Sequence, residues 1–165
     1  MNKKGFTLIE LLAVIIIIGI IAVITVPSII SYTKSANETS YNILIKNIVT
    51  ASKTYYEECE YGDLSDSNKY GSYACKIENS NEINTTLKAL ANTGILSVKD
   101  LSEDKETKVV LDPRDTTVDI SNCAITITKT KKEITDTNGI KNTKVTYTVT
   151  NSSPSGCPTE YGSVN

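Results

Sequence analysis

Twenty consecutive uncharged residues, Leu11 to Ile30, mostly Ile, Leu, Val and Ala, constrain this 165-residue chain more than any other feature. As a helix rising 1.5 Å per residue they span roughly 30 Å, the thickness of one hydrocarbon core. Lys3 and Lys4 precede the run and Lys34 ends it, and the single charge between Gly5 and Thr33 is Glu10. The pattern specifies a membrane-spanning segment with the lysine end in the cytoplasm and the body of the chain outside. A cleavable secretory signal fits poorly, because the run is too long, no A-x-A-like site follows it and a carboxylate stands near its start. A lipoprotein signal fails because no cysteine lies near the run. An ordinary signal anchor remains compatible with the length and the flanks.

The composition narrows the chemistry. There is no histidine, which excludes Ser-His-Asp and Cys-His catalysis and His-ligated metal sites. Seventeen basic residues against nineteen acidic ones leave a net charge of -2, with no excess for gripping a phosphate backbone. Arg114 is the lone arginine. No nucleophile–base set is visible, so the chain reads as a structural protein rather than an enzyme, with no cofactor, no metal and no nucleic-acid partner expected.

Glu10 is the residue that needs explaining, since a carboxylate in lipid costs roughly 2.5–3.5 kcal/mol on insertion scales. Lys4-Gly5-Phe6-Thr7-Leu8-Ile9-Glu10-Leu11-Leu12, leading into a long apolar helix, closely resembles the signature of type IV pilins and of the pseudopilins of secretion and DNA-uptake machines. The close match covers about residues 3–32. The resemblance implies that a prepilin peptidase cuts between Gly5 and Phe6, removing residues 1–5 as a leader. It also implies that the new amine on Phe6 is methylated and that the apolar helix stays on the mature protein. Gly5 suits a tight protease site because it has no side chain. The cut creates a cation at Phe6, and a buried carboxylate and ammonium offset each other's desolvation only when paired. Glu10 can therefore meet the Phe6 amine of its own chain, four residues away, or that of a neighbouring subunit, which would set an axial register.

The helical pattern continues past Lys34. Tyr41, Leu44, Ile45, Ile48, Ala51 and Tyr55 recur at steps of three and four, an apolar stripe on an otherwise polar helix. One helix is expected from about Phe6 to Glu58, roughly 80 Å long, apolar in its first half and amphipathic in its second. Residues 6–32 would form the membrane or filament-core part and residues 33–165 an extracellular head. Gly19 and Pro27 are breakers within the apolar half, flanking a mostly β-branched stretch. A mild kink is one expectation there. Local melting between such positions, known in some filaments of the family this resembles, is the other.

The head reads as α+β: a small antiparallel sheet against the second half of the long helix, a pilin-like arrangement. Cys59 to Ser80 shows no regular element. Asn81 to Gly94 has the spacing of a short helix, with Ile83, Leu87, Leu90 and Ala91 on one face and Gly94 as its stop. Val109-Val110-Leu111 is a short strand ended by Asp112-Pro113. Cys123 to Thr128 and Val145 to Thr150 both alternate apolar residues with threonine. Their large apolar residues are odd-numbered, so the strands can share an apolar face only if the loop between them has an odd number of residues. A loop centred near Asn138, with Gly139 left-handed in a G1 bulge, satisfies this.

The same parity bears on the cysteines, for which three pairings exist. With Ile127 opposite Val149, Cys123 falls opposite Ser153, and Cys157 lies a few residues on, past Pro154 and Gly156. Cys123–Cys157 is the expected bridge, which leaves Cys59–Cys75. With no CxxC and no histidine, a metal site is disfavoured.

Other clusters have plainer explanations. Tyr55, Tyr56, Tyr61, Tyr70 and Tyr73 could form a contact surface, but such tyrosines more often cover a small core. Glu57, Glu58, Glu60, Asp63 and Asp66 lack EF-hand spacing and read as a solvated face. Lys129, Lys131 and Lys132 read as isolated basic residues.

The function expected is that of a structural pilus subunit, polymerising through its N-terminal helix and displaying the head. The partners the resemblance implies are other pilin subunits, the peptidase, and an assembly platform driven by a cytoplasmic ATPase, with membrane lipid before assembly. The expected location is the cytoplasmic membrane first and a cell-surface pilus afterwards. The alternatives are a minor pilin or tip adhesin, with the 59–80 loop binding a surface ligand, and a pseudopilin of a secretion or DNA-uptake system.

Overall fold

The structure is a computed structural model that describes residues 7–62, 64, 75, 77, 81–98, 108–153 and 156–165. Gly5 and Phe6 lie outside the described residues, as does most of the 59–80 connection. Helix α1 spans Leu8–Tyr61 and is continuous through Gly19 and Pro27. Strand β1 (Glu82–Thr86), helix α2 (Leu87–Asn92), β2 (Leu111–Asp112), β3 (Asp115–Asp119), β4 (Ala124–Thr135), β5 (Lys141–Asn151) and β6 (Glu160–Val164) follow. The chain divides into two units, one up to Thr39 and one from Ser40 to Asn165.

In the first unit the described side chains from Leu8 to Ile30, Pro27 aside, are exposed around the whole helix, from Val14 at 48% to Leu8 at 84% among the large apolar ones. A helix apolar on every side is suited to lipid or to the inside of an assembly, and this one is long and apolar enough to cross a membrane. Thr25 and Thr33 donate their hydroxyls to the carbonyls of Ile21 (3.0 Å) and Ile29 (2.9 Å), so neither needs a polar partner from the surroundings.

In the second unit the architecture is α+β. A four-stranded antiparallel sheet of order β1-β4-β5-β6 packs against α1 from Leu44 to Cys59, and β2–β3 forms a separate two-stranded ribbon. The expected stripe is the buried face: Ile48, Ala51 and Tyr55 enter the core, with Val49, Ser52, Tyr56 and Cys59 widening it. Ile83, Ile125, Ile127, Tyr147 and Val149 meet them from the sheet. Burying each large aliphatic side chain contributes about 1.5–3 kcal/mol.

The register follows the odd-number parity. Ile127 faces Val149, and the pairing runs without a slip from Ile125↔Asn151 to Thr135↔Lys141. In the five-residue connection Asp136 donates its amide to the Ile140 carbonyl and accepts the Gly139 amide, each at 3.0 Å. Gly139 has φ +80°. That is a turn centred on Asn138 closed by a left-handed glycine, the three-residue hairpin with a G1 bulge.

The short strand expected at Val109 to Leu111 lies at Leu111–Asp112, and one element changes type. The helix expected over Asn81 to Gly94 is a strand followed by six helical residues. Ile83, Thr85 and Thr86 are β-branched, and pairing with the exposed edge of β4 (Ile83↔Ile127, Thr85↔Ile125) outweighs a local helical spacing. Thr86 then serves as the N-cap of α2, accepting the Ala89 amide at 3.2 Å.

Candidate functional site: the start of α1 and its anchor in the head

Helix α1 begins at Leu8, two residues later than the sequence pattern placed it, because Thr7 is its N-cap. Glu10 Oε2 accepts the Thr7 amide and the Thr7 hydroxyl, each at 2.8 Å, and the Thr7 oxygen accepts the Glu10 amide at 3.4 Å. This is a capping box, in which residues three apart satisfy each other's orphan donors. Thr-x-x-Glu ahead of an apolar run is its sequence signature, and it was open to view in Thr7-Leu8-Ile9-Glu10. The negative charge also sits where the helix dipole favours it. The cap uses Oε2. Oε1 takes no hydrogen bond among the described residues, so the carboxylate can accept a second donor. Gly19 and Pro27 lie within α1, and a side chain at Gly19 would meet nothing within 4 Å.

At the other end of α1, Lys129 departs from its expectation as an isolated surface residue. It lies on β4 one step beyond Ile127, on the buried face, and its side chain is only 5% exposed. Its ammonium is bonded to Glu60 of α1 and lies 5.4 Å from the ring centres of Tyr56 and Tyr61 and 5.9 Å from that of Tyr147. Burial alone would lower the lysine pKa, but the Glu60 bond and the nearby Tyr147 and Tyr61 reverse this and hold it above its ordinary value. The Lys129 hydrogen bond holds Glu60 below the usual carboxylate range. Odd-number parity already assigned position 129 to the inward face; its charge hid that.

The other singled-out residues sort by burial. Tyr55 and Tyr56 are core residues, Tyr61 is exposed, and Tyr70 and Tyr73 lie outside the described residues. Glu57 accepts the Tyr147 hydroxyl at 3.2 Å, Glu58 is exposed, and Asp63 and Asp66 are outside the described residues. Among the described residues no group of three potential metal ligands occurs. Arg114 forms a two-pronged bond to Asp112 (3.1 and 2.7 Å) and stacks over Tyr41 of α1 at 3.5 Å, tying the β2–β3 ribbon to the helix. Cys59 is joined to Cys75 and Cys123 to Cys157, with Cα separations of 5.9 and 5.7 Å.

Residues 1–26 match the family described as the prokaryotic N-terminal methylation motif. The chain is 35% identical over 65 residues to the type IV major pilin protein PilA of Myxococcus xanthus, covering 39% of this chain and 30% of that protein. It is 43% identical over 54 residues to the type IV wide pilus major component PilA4 of Thermus thermophilus, covering 33% and 41%. It is 42% identical over 57 residues to the ComG operon protein 3 homolog of Bacillus licheniformis, covering 34% and 58%. The matches thus span between about a third and somewhat over half of these relatives' lengths. No solved structure matches the chain. With the long helix and the antiparallel sheet, the methylation motif and these relatives, which match about a third of the chain, support a type IV pilin or pseudopilin family for it.

Proposed function

We propose that the chain is the structural subunit of a type IV pilus, made as a membrane-anchored precursor and polymerised through α1. The observation that carries this is the first half of α1, apolar on every side and buried against nothing, with one carboxylate at its tip. Such a surface requires lipid or copies of itself. A prepilin peptidase cuts between Gly5 and Phe6, Phe6 is methylated, and the leader and its two lysines are lost. In the uncleaved chain the Phe6 nitrogen is an amide. After the cut it is a cation, and Glu10 Oε1 is the acceptor that the capping box leaves open. An incoming subunit's Phe6 amine paired with that oxygen neutralises both charges within the apolar core. Residues 6–32 form that core, the rest of the chain forms the displayed head, and a membrane platform with a cytoplasmic ATPase drives assembly. Gly19 and Pro27 mark where α1 can yield its helical bonds when packed.

A second role is favoured by the match to the ComG operon protein 3 homolog: a pseudopilin of a DNA-uptake system. Immunogold microscopy and fractionation of sheared cells separate the two. An abundant surface filament containing this chain supports the pilus subunit. A chain confined to the cell envelope rejects it in favour of the pseudopilin.

A further inference from the structure

The distal half of the β4–β5 hairpin, residues 130–144, is exposed on both faces of its strands, with only Asp136 in the turn half-buried. β1 reaches β4 only as far as Thr128, and β6 reaches β5 only from Tyr147 to Thr150. Among the described residues this arm is therefore a two-stranded ribbon with two open edges, a form of marginal stability by itself. Ile134 and Ile140 are exposed beside the turn. Four of the chain's seventeen basic residues and two of its nineteen acidic ones lie in the arm, so it is net +2 and the remainder net -4. Lys132 stands directly opposite Lys144, a like-charge pair that disfavours the ribbon. Lys132, Lys141 and Lys144 form no ion pair with the described residues.

We propose that this arm docks on the acidic head surface of a second copy of this chain, its lysines meeting carboxylates and its two isoleucines buried at the contact. Charge complementarity selects the occupant. Two arms cannot pair edge to edge, because their lysines repel. The rest of the chain supplies the opposite sign, and polymerisation supplies it at high local concentration. An anionic partner also relieves the Lys132–Lys144 repulsion, so the ribbon is completed by its neighbour. The inference rests on the chain being a filament subunit and adds a head-to-head contact to the helical core.

The test uses sheared filaments of the full chain treated with a carbodiimide, which joins lysine amines to carboxylates in direct contact. Dimers should form whose linked peptides carry Lys132, Lys141 or Lys144 on one side and an acidic residue outside 130–144 on the other. Dimer yield should fall roughly tenfold in Lys132→Glu/Lys141→Glu/Lys144→Glu, which removes the linking amines and reverses the charge that holds the contact. Raising salt should lower the wild-type yield as well. An intact Cys123–Cys157 linkage in the variant shows that the head has folded. Unchanged dimer yield in the triple glutamate variant overturns the arm's role while leaving the filament reading in place. So does arm-dependent retention of DNA with normal dimers, which would assign the lysines to a polyanion. Absence of the chain from all sheared material overturns both.

Discussion

Lys129 on β4 and Glu60 on α1 form an ion pair whose ends are unequally buried: the lysine side chain is 5% exposed and the glutamate 24%. The pair joins the end of the long helix to the sheet. Its inequality decides what each substitution does, because the more exposed partner can return to water and the buried one cannot.

Glu60→Gln should therefore destabilise the head more than Lys129→Met. The first leaves an ammonium among three tyrosine rings without its anion, at a cost of about 3–5 kcal/mol. The second leaves a glutamate that rehydrates and a methionine that packs. Thermal unfolding of the two full-length variants in detergent checks the order, and equal losses would contradict it.

The same pair fixes a pH window. Glu60 is held below its ordinary value of 4.5, so its contribution is present above that value and is lost as pH falls through the folded-state pKa. Lys129 is held above 10.5, so its contribution is present below that value and is lost as pH rises through the folded-state pKa. Wild type should show a plateau of melting temperature across neutral pH that falls at both ends. In Lys129→Met the loss near pH 4 should be smaller, which a melting series against pH would reveal.

Processing should fail in Gly5→Leu, since the bulky side chain replaces the hydrogen the proposed cut requires beside Phe6. Mass spectrometry of membrane protein should find only the full-length chain. Normal trimming would remove the assignment of the cut site.

Thr7→Ala and Glu10→Ala should separate capping from assembly. Loss of the threonine cap costs about 0.5–2 kcal/mol at the helix end but leaves the carboxylate in place, so filaments should still form. On the proposed pairing, loss of the carboxylate leaves the Phe6 cation of the neighbouring subunit without its anion, and filaments should be scarce although the leader is removed. Yields of sheared filaments from both variants decide this, and equal yields would mean that Glu10 acts only as a cap.

Much of this was legible locally. Thr126, Thr128, Thr146 and Thr148 alternating with Ile and Val gave the strands. Their numbering parity gave the register, the odd loop around Asn138 and the proximity of Cys123 to Cys157. Three residues take places that their local sequence does not specify. Ile83 has the spacing of a helix with Leu87, Leu90 and Ala91, yet its place is decided by the open edge of β4, which no local window contains. Lys129 falls on the buried face by parity although its charge argues for solvent; the anion that permits its burial lies 69 residues away. Thr7 and Glu10 carry two signals in the same four residues, a charge at the edge of an apolar run and a helix start, and the second depends on a hydrogen bond that the charge alone does not announce.

The Cys123–Cys157 bridge closes a loop of 34 residues in sequence that contains the whole β4–β5 hairpin, and Cys59–Cys75 closes one of 16. Each residue of a fully extended chain adds at most about 3.3–3.6 Å, so the two loops hold back roughly 110–120 Å and 50–60 Å of length. Tension applied between α1 and β6 passes through the sulfur atoms instead of unravelling the hairpin. Lengthening is confined to α1, to the stretch from β1 to β3, and to the few residues after Cys157. A head pulled to the limit of its covalent slack would still carry its two longest strands, and the arm they form, as a closed loop.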